Sequence, residues 1–211
     1  VGWDTEISDD YRKGDQQVKI SSIYSFNGGI EFMNEYHNCE LKQIQTVIEK
    51  INARKFKTKV SKEKKMKGKL LYSQVKLNSE FKRLFGTQDI DGGWERKRID
   101  CDYVPLQYKD GVVPQTKFLK GFREIDFVKS KVGVEVQFGK YSFMVYDILG
   151  KIPVFKKLGL IDCGVEIVPT KRFAESMCSG VSCYEQLVWD LNMIGNTSPS
   201  VPVVVIGISD K

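Results

Sequence analysis

The chain has 211 residues, 41% of them hydrophobic and 28% charged, so it carries enough apolar surface for a full core and is not a disordered chain. No apolar run approaches the roughly 18 residues of a membrane-spanning helix. The opening VGWDTEISDD has neither the basic region nor the apolar core of a secretory signal, so a cytoplasmic protein without a membrane partner is expected. Net charge is +6, yet residues 54–69, RKFKTKVSKEKKMKGK, hold nine Lys or Arg against Glu63 alone, a local +8 that leaves the rest of the chain slightly acidic.

Residues 1–22 read as a polar lead-in and 23–211 as a single domain, with a short strand at KISSIYSF ended by Asn27, Gly28 and Gly29. From 31 to 53, Leu41, Ile44, Ile48 and Ile51 recur at helical spacing and predict one long helix with a buried stripe. The basic segment follows. Lys62, Lys64, Lys65 and Lys69 lie in it, and such a concentration either follows a phosphate backbone or is a solvated loop. LLYSQV is strand-like, and NSEFKRLF is helical with Asn78 or Ser79 as the cap. Between 86 and 120, glycines and prolines among charged residues predict loops and short strands.

Beyond Gly121 the pattern sharpens. EIDFV and KVGVEVQF are strands, YSFMVYDIL and KIPVFKKLG are helical with a break at Gly150 or Pro153, CGVEIVP is a strand, KRFAESM a short helix, and VPVVVIGI a strand buried on both faces. Strand, helix, strand in succession requires a crossover, so part of the sheet is parallel and the class is α/β, a mixed sheet with helices on both faces.

The five cysteines, Cys39, Cys101, Cys163, Cys178 and Cys183, are odd in number and lack a C-x-x-C pair, while His37 is the only histidine. Free thiols are expected, and a zinc site or a Cys-His nucleophile is not.

In KVGVEVQFGKYSF, Val132, Val134, Val136 and Phe138 line one face of a strand; Gly133, Glu135 and Gln137 line the other. Asp126 lies nine residues before Glu135, so a strand, a turn and the next strand return it to Glu135. Two carboxylates on neighbouring strands suit Mg²⁺, a hard ion that takes oxygen ligands and keeps several waters. The uncharged Gln137 suits orienting a water or a phosphate oxygen. The plainer reading is a pair of exposed residues on a sheet edge.

The stretch IDFVKSKVGVEVQFGKYSFMVYD resembles the catalytic core of type II restriction endonucleases of the BstYI/BglII group, in the PD-(D/E)XK nuclease superfamily. VSKEKKMKGKLLYSQVKLNSEFKRLF resembles the group's upstream block, CGVEIVPTKRFAESMCSGVSCYEQL its recognition block and VPVVVIGI its last core strand. The resemblance implies a restriction-endonuclease-like fold and places Asp126 and Glu135 as catalytic acids that hold the metal with the backbone carbonyl of Val136. Gln137 takes the third catalytic position, where most of the superfamily has lysine, and Ile125 replaces the motif's proline. The general base is left unassigned.

The implied reaction is Mg²⁺-dependent hydrolysis of a phosphodiester in double-stranded DNA, by water in line with the leaving 3′ oxygen. The resemblance places base readers at Lys140 and Ser179, with Ser182 as a further candidate, and these positions match the group's purine-GATC-pyrimidine cutters. Cleavage before the G of RGATCY, leaving 5′-GATC overhangs, is expected. A palindrome implies a homodimer, with the helices around 31–53 and 140–158 as candidate contacts. The alternatives are a superfamily nuclease with another or a modification-dependent target, and a catalytically silent DNA-binding module.

Overall fold

A computed structural model of the chain describes residues 17–86, 93–103, 109–112, 120–198 and 200–210. The lead-in and the loops expected after Gly86 fall largely outside these residues. Among the described residues eight strands are β1 (Lys19–Phe26), β2 (Lys59–Val60), β3 (Leu70–Leu71), β4 (Glu95–Asp102), β5 (Lys120–Lys129), β6 (Val132–Val136), β7 (Cys163–Pro169) and β8 (Val203–Ser209). Six of them form one sheet in the order β1-β8-β7-β6-β5-β4, while β2 and β3 pair separately. β6, β7 and β8 are parallel and buried at every position, which is why their sequences run apolar except at Glu135, Glu166 and Ser209. β1 closes one edge antiparallel to β8; β5 and β4 continue antiparallel beyond β6.

Alternation along these strands feeds two cores. Val134, Val136, Ile167 and Ile206 pack against Met33 of α1 (Gly29–Tyr36), Ile44 and Ile48 of α2 (Asn38–Glu49), Phe81 of α3 (Gln74–Gly86) and Phe173 of α6 (Lys171–Glu175). Ile125, Val168, Val203 and Val205 pack on the other face. There they meet Met144 of α4 (Tyr141–Tyr146), Ile152 and Phe155 of α5 (Ile152–Lys157), and Leu187 and Leu191 of α7 (Tyr184–Ile194). This is the mixed sheet with helices on both faces that the crossover pattern predicts. Among the described residues no helix is long and apolar enough to cross a membrane. All five cysteines are free.

Several local expectations change. The helix predicted over 31–53 is two, α1 and α2, because His37 leaves the helical region at φ −138; the stripe of Leu41, Ile44, Ile48 and Ile51 is nonetheless buried. LLYSQV is extended only at Leu70–Leu71, and α3 begins at Gln74, ahead of Asn78 and Ser79. Ser73 serves that start, its Oγ accepting the Lys76 N–H at 3.4 Å. The polar, mostly exposed β4 has no apolar alternation to reveal it. In α7 the exposed Trp189 and Met193 hide a stripe made only of Leu187 and Leu191.

From 141 to 157 one helical path runs over the sheet, with a π-turn at Asp147–Lys151 between α4 and α5. The Ile152 N–H donates to the Asp147 carbonyl, five residues back. Pro153 explains the wide turn, since it has no N–H for the Leu149 carbonyl. Gly164 lets this helix approach, because a Cβ there would meet the Ile152 Cδ1 at 2.5 Å.

Candidate active site

Ser130 and Lys131 join β5 to β6 with φ of 45° and 65°, the positive pair that a two-residue hairpin turn requires. The ladder pairs Phe127 with Val134, so Asp126 and Glu135 are the next residues on the two strands. β5 also carries a bulge here. Glu95 pairs with Val128 and Lys97 with Ile125, one residue too many on β5 across Asp126 and Phe127. Ile125 and Phe127, two apart, therefore enter opposite cores. A bulge re-aims side chains, and this one sits at the acid.

Glu135 is not an exposed residue on an edge. β6 lies inside the sheet, and the side chain is buried beneath the 141–157 helix. The π-turn supplies its partner. Lys151 Nζ lies 2.7 Å from Glu135 Oε1 and 2.8 Å from Asp147 Oδ1, in a setting where all three side chains are largely buried. Gln137 Nε2 donates to the other Asp147 oxygen at 3.2 Å. The Gln137 backbone is fixed by its N–H bond to the Ile167 carbonyl at 2.9 Å. Beside Glu135 in the parallel register stands Glu166 on β7, fully buried, with no hydrogen-bond partner on either oxygen.

Sequence reasoning missed Asp147, Lys151 and Glu166. Glu166 had a signal, since CGVEIVP places one acid in an otherwise apolar strand. Asp147 and Lys151 are four apart on a helix, a spacing too common to single out.

Burial dominates the electrostatics. It pushes the Glu135 pKa up to about 8; Lys151 works against it, and the charges of Asp147 and Asp126 add to it. Burial likewise raises Asp147, opposed by Lys151 and Gln137. Glu166 is held well above the carboxylate range by burial first, then by Asp147 and Glu135. Burial pulls the Lys151 ammonium down, but Glu135 and Asp147 outweigh it and its pKa rises. Lys151 thus pairs with two carboxyl groups while Asp126 and Glu166 stand near them without such a partner, a crowding of acids that a divalent cation relieves. Among the described residues no three His, Cys, Asp or Glu side chains form a ready metal cage. A set of two carboxylates and a backbone carbonyl, Asp126, Glu135 and Val136, still suits a hard ion that keeps its waters.

The residues predicted from the sequence to face DNA lie on three segments. Lys140 is exposed just after β6. Ser179 is exposed on the 178–182 loop, and its N–H donates to Glu63 Oε2 at 3.2 Å, so the lone acid of the basic run pins that loop. Lys62, Lys64, Lys65 and Lys69 are exposed on the β2–β3 connection that carries Glu63. Ser182 differs from these. It is buried, its N–H donates to the Gly139 carbonyl at 3.0 Å and its hydroxyl to Gln186 at 3.0 Å. Gln74 adds a brace, with Nε2 donating to the Phe138 carbonyl at 3.3 Å and Oε1 accepting from Lys59 at 3.3 Å.

The fold is similar to that of restriction endonuclease BglII complexed with a DNA 16-mer, with a TM-score of 0.61 at 19% identity over 90% of this chain and 75% of that one. Against free BglII the TM-score is 0.54 at 18% identity, with 90% and 78% covered. No curated protein sequence matches. At such identities the structures speak to fold alone, but the family model described as Restriction endonuclease BglII/BglIII matches residues 21–208. A sheet that sets Asp126 beside Glu135 and a match across nearly the whole chain meet in one statement: the protein belongs to the BglII/BglIII family of restriction endonucleases, site-specific deoxyribonucleases.

Proposed function

We propose that the protein is a Mg²⁺-dependent type II restriction endonuclease that cuts double-stranded DNA at RGATCY, before the G, leaving 5′-GATC overhangs. The carrying observation is the placement of Asp126 and Glu135 at neighbouring positions on β5 and β6, with a bulge at Asp126. Asp126, Glu135 and the Val136 carbonyl would hold the ion. When bound, it supplies a Lewis acid for the phosphoryl oxygen and lowers the pKa of nearby water. Gln137 orients Asp147 through its amide, and Asp147 in turn fixes Lys151.

Base reading is assigned to Lys140, which can donate to guanine N7 and O6, and to Ser179, whose hydroxyl can donate or accept at a relaxed outer pair. The lysines of the β2–β3 connection would follow phosphates and set register without reading sequence. A palindromic target fits a two-fold homodimer in which each protomer cuts one strand. Exposed Phe143, Tyr146 and Val154 on the 141–157 helix supply apolar surface for that contact.

The test is incubation with mixed-sequence plasmid and Mg²⁺, followed by sequencing of the ends. Ends that begin with GATC after a purine are expected. Ends at another motif, or only at modified bases, would replace the target. Binding in chelator with no scission on adding Mg²⁺ would replace the activity with DNA binding alone.

A further inference from the structure

Gln137 carries no charge, and its amide nitrogen donates to Asp147. The positive charge in the site comes instead from Lys151, and it arrives from the opposite layer, on a helix rather than on the catalytic strand. Three features fix it there. The π-turn keeps Asp147 and Lys151, four residues apart, on the same side of the helix. Gly164 lets the helix sit close to the sheet. Asp147 grips the ammonium at 2.8 Å while its second oxygen is held by Gln137. An unbroken line of contacts then runs Gln137, Asp147, Lys151, Glu135.

We propose that Lys151 is a positioning residue for the phosphodiester cleavage: tethered by Asp147, its ammonium grips Glu135 Oε1 and leaves Oε2 to take the metal ion. The inference rests on the endonuclease reading above. Oε1 is cut off from solvent, so the grip falls on a fully buried oxygen. Both carboxylates reach the ammonium at contact distance, and the lysine side chain is only 12% exposed, so it cannot swing freely into water. A lysine kept only to balance charge needs neither a second acid to hold it nor an amide to hold that acid.

The test uses the full chain with Lys151→Met, and Lys151→Gln beside it so that one folded variant suffices. Single-turnover cleavage in Mg²⁺ is measured, together with Mn²⁺ binding to the protein by paramagnetic titration. Wild-type cleavage in the same assay checks the endonuclease reading separately. The expected result is a loss of cleavage of about tenfold or more, with Mn²⁺ binding as tight as in the wild type or tighter, because a repelling ammonium has gone. Adding Gln137→Lys to Lys151→Met should restore part of the cleavage, since residue 137 already reaches Asp147. Cleavage reduced less than tenfold, Mn²⁺ affinity falling in step with cleavage, or no recovery in the double variant would each overturn the proposal.

Discussion

The acid cluster beneath the 141–157 helix and the lysine-rich β2–β3 connection handle charge in opposite ways. In the cluster, buried carboxyls are held at fixed distances by Lys151 and Gln137, and each shifts the pKa of its neighbours. On the connection, Lys62, Lys64, Lys65 and Lys69 stand exposed in water. A buried charge acts through geometry, so one substitution should be catastrophic and insensitive to salt. Exposed charges act as a sum, so each should count for little and salt should matter greatly.

The sharpest way to break this contrast is Asp126→Asn. With the charge gone and the shape kept, single-turnover cleavage should fall by about 10³-fold or more, while DNA binding in Ca²⁺ stays near the wild type. Cutting retained by this variant would remove the acid pair from the mechanism. Alanine at all four lysines is the counterpart, with a smaller effect of another kind. Affinity should weaken, and the slope of log K against log salt should lessen by roughly 0.9 for each phosphate that no lysine neutralises any longer, with cleavage at saturating DNA unchanged. An unaltered salt slope would return the segment to a solvated loop.

The same contrast explains what could be read from the chain. β8 was legible because a strand buried on both faces runs apolar, β6 by its alternating valines, and Asp126 and Glu135 stood out as acids on predicted strands. Lys151 was not legible. Its role depends on a π-turn set by Pro153 and on the layer beneath it, and neither leaves a period in the sequence. The bulge at Asp126 is equally silent, since it is a property of β5 and β4 together. β4 itself is a strand only because β5 offers it a backbone to pair with.

Where the two regions meet, the effect should be intermediate. Glu63 belongs to the basic segment yet holds the Ser179 N–H at 3.2 Å, and the Ser179 side chain first, then that N–H, lowers its pKa by hydrogen bonding. Glu63→Gln should loosen the 178–182 loop and narrow the preference between outer base pairs by about tenfold, and Ser179→Ala should do the same. Cleavage rates on RGATCY against sites altered at the outer pair measure this. A uniform drop on all sites would mean that Glu63 only supports backbone binding.

The mildest prediction concerns stability, and it asks what the buried acids cost. Glu166 has its pKa raised by burial, with Asp147 and Glu135 adding. Between the unfolded value near 4.3 and the raised folded one, the native state keeps a proton that the unfolded state has released. Stability must then fall as pH rises, by about 1.4 kcal/mol per pH unit for one such group. Glu166→Gln cannot titrate, so it should match the wild type near pH 4 and exceed it increasingly toward pH 8 in urea unfolding. Parallel curves for the two proteins would mean that Glu166 titrates alike in the folded and unfolded chains. The cost of the cluster would then lie with Glu135 and Asp147, the two acids that Lys151 already holds.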